Sequence, residues 1–111
     1  MAAISNLYID AGSTFNAIVT VRGTDGNVLN LTGFTVASQI KKSYGSLVAY
    51  NFSASIYDGP SGKVKIVLSS TLSSTIKPGR YLYDIEVTAP SLEKLRVVEG
   101  LVIITPEITK I

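Results

Sequence analysis

The chain has 111 residues, 46% of them hydrophobic and only 16% charged, with a net charge of +2. That is the length of one domain, carrying fewer charges than the ~25% usual for soluble domains. There is no Cys and no His, which excludes disulfides, thiolate metal sites and imidazole acid–base chemistry.

In chain order, Leu7 to Ile9 reads as a short first strand closed by Asp10-Ala11-Gly12-Ser13. Thr14 to Arg22 alternates, with Phe15, Ala17, Val19 and Val21 on one face and Ile18 misplaced among polar residues on the other. Asp25-Gly26 signals a tight turn, and Val28 to Leu31 is a short returning segment. Phe34 to Lys41 forms the next strand, directing Phe34, Val36, Ser38 and Ile40 inward. Ala49 to Tyr57 alternates Tyr50, Phe52, Ala54 and Ile56 against Asn51, Ser53 and Ser55. Asp58-Gly59-Pro60-Ser61-Gly62 is a turn, and Val64, Ile66 and Leu68 face in from the strand that follows. Ser70 to Pro78 reads as one helical turn ended by a proline.

Gly79 to Val87 is the most specific strand. Tyr81, Tyr83, Ile85 and Val87 occupy one face and Arg80, Asp84 and Glu86 the other. A Leu-bearing turn, then Gly-x-Tyr and an aromatic two residues on, is how the sixth strand of an immunoglobulin-type sandwich is entered. In this tyrosine corner of Gly79, Tyr81 and Tyr83, Tyr81 would bond back to the preceding corner, and Tyr83 would stand where antibody domains carry a Cys. The last strand, Lys94 to Thr105, breaks alternation at Glu99-Gly100, which suggests a β-bulge there. Roughly seven to eight short strands at 8–12-residue spacing make an all-β, immunoglobulin-like antiparallel β-sandwich with one short helical turn, spanning residues 1–111 as a single domain.

The chemistry available is thin. Asp84 and Glu86 are the one carboxylate pair, about 6.6 Å apart along a strand face, and could in principle serve a two-carboxylate glycosidase. With no Trp for sugar stacking they read as a solvated face partnered by Arg80. Asp10, Asp25 and Asp58 sit one per loop, which is turn chemistry rather than a calcium cage. The expectation is no enzyme, no cofactor and no metal. Basic residues are scattered, with Lys41-Lys42 the longest run, so no nucleic-acid footprint is visible. No apolar run reaches the ~18 residues of a membrane span, and Met1 to Asn6 lacks the regions of a signal peptide. A soluble chain made in the cytoplasm is expected.

The informative anomaly is apolar side chains on faces that should be wet: Ile18, Val67 and Leu82, with Leu95 to Val98 and Leu101 to Ile104 apolar on both faces. Such surface implies cover by another chain. The expected contacts are Ile18, Leu82, Val102 and Ile104, with Ile108 and Ile111 in a tail that reaches a neighbour.

Several stretches resemble small domains of tailed bacteriophages. They are Asn30-Leu31-Thr32-Gly33-Phe34-Thr35, Ala37 to Lys41, Gly62-Lys63-Val64, Leu68-Ser69 with Thr71 and Thr75, Gly79 to Ile85, Val98 to Ile103 and Pro106 to Thr109. Together they are similar to the immunoglobulin-like domains of phage tail and baseplate proteins, such as the N-terminal domain of upper baseplate proteins. The resemblance implies a virion structural protein that docks in a tail, baseplate or neck, its partners other virion proteins and copies of itself. Alternatives are a capsid-decorating protein, or a carbohydrate- or host-surface-binding module using Tyr44, Tyr50 and Tyr57.

Overall fold

A computed structural model of the chain describes residues 3–23 and 25–106. The elements are β1 (Ala3–Ile4), β2 (Leu7–Asp10), β3 (Phe15–Thr20), β4 (Thr35–Lys41), β5 (Ala49–Asn51), β6 (Ser53–Asp58), β7 (Lys63–Leu68), α1 (Ser70–Ser73), β8 (Gly79–Thr88) and β9 (Lys94–Thr105). They form two sheets. The larger runs β1-β9-β8-β4-β5, with β2 also on β9, and the smaller runs β3-β7-β6. The protein is an all-β sandwich of immunoglobulin-like type.

Two of the strand divisions are interruptions. β1 and β2 both pair parallel with β9, in one continuing register broken at Ser5-Asn6. β5 and β6 are one extended stretch that leaves the larger sheet for the smaller at Phe52. The predicted strand Ala49 to Tyr57 is therefore shared between the sheets. The short returning segment at Val28 is reduced to a single bridge with Arg22.

The alternation read from the sequence places the core. Val64, Ile66 and Leu68 from β7 meet Ile40 of β4 and Ile85 and Val87 of β8, all buried between the sheets. Phe52, at the crossing, packs tilted against Phe15 with ring centres 6.1 Å apart and edge-on against Tyr83 at 6.2 Å, so one aromatic chain joins β3 to β8. Ser69 caps α1 by accepting from the Leu72 amide at 3.2 Å. Ser73 is buried; its Oγ accepts from the Gly12 amide at 3.1 Å and donates to the Ser13 carbonyl at 2.8 Å, tying α1 to the β2–β3 turn.

The corner forms as its residues require. Tyr81 Oη donates to the Lys77 carbonyl at 2.6 Å, four residues upstream, and Lys42 Nζ lies 4.8 Å from the centre of its ring. Tyr83 Oη crosses to the N-terminal edge and donates to the Ser5 carbonyl at 2.6 Å.

The bulge in β9 is not where the sequence suggests. The β8–β9 register steps from Ile85↔Val98 to Glu86↔Arg96, so Val97 is the extra residue, while Gly100 stays in register opposite Tyr83. Gly100 has another purpose. A Cβ there would overlap the Ser5 carbonyl group, so the glycine lets the β1–β2 break cross close over β9.

Candidate functional site

The position of the bulge decides which side chains β9 offers to the outside, because a one-residue shift exchanges the two faces of a strand. With Val97 bulged, Val98, Gly100, Val102 and Ile104 point inward, and Arg96, Glu99, Leu101 and Ile103 point out. Val102 and Ile104, expected as contact residues, are instead core residues with 0% and 2% exposure. Ile18 and Leu82 do face outward, but from different sheets: Ile18 lies opposite Lys65 on the smaller sheet and Leu82 between Lys41 and Leu101 on the larger. They cannot form one patch. Ile108 and Ile111 lie outside the described residues.

What the fold does assemble is an apolar strip on the outer face of the larger sheet. The register sets Tyr8 beside Ile103, and Leu101 beside Leu82. Ile4 and Tyr8 are 77% and 71% exposed on β1 and β2, while Leu82, Leu101 and Ile103 are half-buried. The β4–β5 loop brings Tyr44 to its border; Leu47 and Val48 of the same loop are also exposed. Between the loop and the β1 edge lies a cleft of about 490 Å³, walled by Ile4 and Tyr44 and floored by Leu82, Leu101, Asp84 and Arg96.

Charges at the lower end of this cleft are mutually satisfied. Arg96 Nε donates to Asp84 Oδ2 at 3.1 Å and its Nη1 reaches Glu99 Oε2 at 3.5 Å. The partner of Asp84 is thus Arg96 on β9, not Arg80, because Arg80 is paired with Ile103 two rows further along. Burial pushes the Asp84 carboxyl above its ordinary value, opposed by Arg96 and assisted by Glu86. These pairs leave the cleft near neutrality, with Lys41 and Gln39 at its far wall.

The remaining candidates are dispersed. Tyr44 borders the cleft, but Tyr50 lies against the core and Tyr57 is on the other sheet, so the three tyrosines form no common platform. Asp25 accepts from the Asn27 amide at 3.0 Å, Asp58 from the Ser61 amide at 3.3 Å, and Asp10 from the Thr105 hydroxyl at 2.6 Å, each within its own neighbourhood. Among the described residues no group of three or more Asp and Glu gathers as a metal cage would need, and no helix is long and apolar enough to cross a membrane.

No family model matches the chain, and no curated protein matches it. Among solved structures it is similar to an internalin-like protein of Listeria monocytogenes, with a TM-score of 0.46 and 9% identity over 96% of this chain. It is also similar to a family 123 glycoside hydrolase from Clostridium perfringens, with a TM-score of 0.45 and 13% identity over 97% of this chain. The chain spans 28% and 24% of the lengths of those two proteins.

Proposed function

We propose that the chain is a structural docking module that joins neighbouring subunits through the outer face of its larger sheet. The observation that carries this is the strip of Ile4, Tyr8, Leu82, Leu101 and Ile103, which the fold holds on a regular sheet face and, among the described residues, leaves wholly or partly exposed. A sheet face of this kind gains by burial, at about 25 cal/mol per Å² before ordering costs. Rigid strands present it without rearrangement, so association loses little conformational freedom. The Arg96–Asp84–Glu99 cluster supplies a polar rim already paired within the chain.

The assembly that fits the sequence resemblance is a phage tail, baseplate or neck. Support for that setting comes from the turn and strand signatures alone. The test is to purify particles from lysates of the source strain and probe them with an antibody to the chain. The expected result is that the chain co-sediments with particles, and that Leu82→Arg, which places a charge in the strip, prevents its incorporation while leaving the fold intact. Particles that lack the chain, or that incorporate Leu82→Arg as readily as wild type, would overturn the reading.

A further inference from the structure

The open edge of the smaller sheet is a strand that matches itself. We infer that two copies of this chain pair reversibly through β3, antiparallel about a twofold axis at Ile18, so that their smaller sheets become one. The inference concerns a different surface from the docking face and does not rest on that reading.

A sheet edge carries a row of unpaired N–H and C=O groups, and proteins blunt it with charge, proline, bulges or brevity. Among the described residues the other edges are blunted. β1 has two residues, β5 three, and β2 four with Asp10 at its end. β6 ends in Asp58 with a register shift after Ile56. β3 has none of these devices. Its six residues include no charge and no proline, and its register with β7 runs unbroken from Phe15↔Leu68 to Thr20↔Lys63.

The phase of the free groups follows from one bond. The Val21 amide donates to the Gly62 carbonyl at 2.7 Å, continuing the β3–β7 register. Bonded and non-bonded pairs alternate along an antiparallel ladder. Phe15, Ala17 and Val19 therefore bond to β7, while Asn16, Ile18 and Thr20 turn their main-chain groups to the open side. The returning segment meets Val21 from the β7 side, through the Leu29 amide at 3.0 Å, and no other main-chain group of the described chain bonds to those three residues.

The antiparallel register that uses all three sets Asn16 opposite the partner's Thr20 and Ile18 opposite the partner's Ile18, each such pair exchanging two hydrogen bonds. The side chains suit that register. Ile18, 48% exposed among polar neighbours, gains an apolar mate. The Asn16 amide meets the hydroxyl of the partner's Thr20, which in its own chain accepts from Lys63 Nζ at 3.3 Å and keeps its proton to donate. On the inner side Ala17 comes beside the partner's Val19. Both are only half-buried in the single chain, whereas Val64 and Ile66 of β7 are 0% exposed, so the added strand closes the open flank of the core. Charge does not oppose the pairing, since β3 has none. Lys65, opposite Ile18 on β7, stands three strand spacings from the partner's Lys65, about 14 Å and beyond the ~8 Å screening length. The contact is isologous, closes at two copies and is narrower than a standard interface, which makes the pair reversible.

Sedimentation velocity across a concentration series of the chain, with amide exchange at both ends of the series, tests the inference. Wild type is expected to move from monomer to dimer mass. The amides of Asn16, Ile18 and Thr20 should gain protection as it does, while those of Phe15, Ala17 and Val19 are protected throughout. Ile18→Lys sets two ammonium groups against each other at the axis and is expected to weaken association at least tenfold with unchanged circular dichroism. Leu82→Arg, on the other sheet, should dimerise like wild type. A chain monomeric at every concentration overturns the inference. So does a dimer that withstands Ile18→Lys, one that Leu82→Arg abolishes, or one whose new protection falls outside β3.

Discussion

Replacing Gly100 by alanine tests how the N-terminal edge is held. The new methyl would overlap the Ser5 carbonyl group and sit 3.0 Å from Asn6 Oδ1. The obstacle is main chain, so no side-chain rotation relieves it, and the β1–β2 break must lift from β9. Three hydrogen bonds depend on that approach. Ser5 N–H donates to the Glu99 carbonyl at 2.9 Å, Leu101 N–H to Asn6 Oδ1 at 3.0 Å, and Tyr83 Oη to the Ser5 carbonyl at 2.6 Å. At about 1 kcal/mol each, their loss destabilises the fold by about 3 kcal/mol, a large part of the 5–15 kcal/mol typical of a domain. The melting point falls by roughly 10–20 °C. Urea unfolding gives the free energy, and amide exchange at Leu101 locates the damage, since its protection should collapse while that of Ile85 persists. Gly45→Ala is the control; nothing lies within 4 Å of a Cβ there, and it should stay within about 0.5 kcal/mol of wild type. A Gly100→Ala protein as stable as this control would refute the reasoning.

Leu92 in the β8–β9 turn has φ +72° and a side chain 79% exposed, so it bears the left-handed strain without compensating burial. Leu92→Gly should raise stability by about 1 kcal/mol in urea unfolding. Ser73→Ala removes the hydroxyl that serves both Gly12 and Ser13 and should cost about 1–3 kcal/mol in the same assay. Burial raises the phenol pKa of Tyr81 and Tyr83 above 10.0. The unfolded chain therefore loses these protons first, and stability should fall as pH rises through a window that opens near 10.0 and ends at the folded values. Urea midpoints followed into that range should show the decline, and Tyr81→Phe should flatten it.

Much of the sandwich is legible in the sequence because burial on one side of a strand leaves a period-two record. Tyr81 to Val87 and Val64 to Leu68 stand as their spacing implies, while the helical turn read over Ser70 to Pro78 forms only over Ser70–Ser73 and ends before the proline. Three features leave no such record. Phe52 keeps the alternation of Ala49 to Tyr57 intact even though the chain changes sheets there, since both halves bury the same face. The parallel pairing of β1 and β2 with β9 is a long-range choice that two and four residues cannot announce. The bulge at Val97 hides in a run apolar on both faces, whereas Gly100, the visible irregularity, serves close approach instead. With the bulge at Val97, Val102 and Ile104 turn inward, and of the run Leu101 to Ile104 it is Leu101 and Ile103 that complete the exposed strip with Leu82.

The parallel union of β2 with β9 has a mechanical consequence. Where two strands run the same way, a pull on the start of one and the end of the other drives them past each other lengthwise. Tension applied between Ala3 and Pro106 would then load the rungs from Leu7↔Val102 to Asp10↔Thr105 together, in shear, instead of opening them one by one like a zip. The first and last strands thereby act as a tension clasp, and the rest of the sandwich stays unstretched until it gives way.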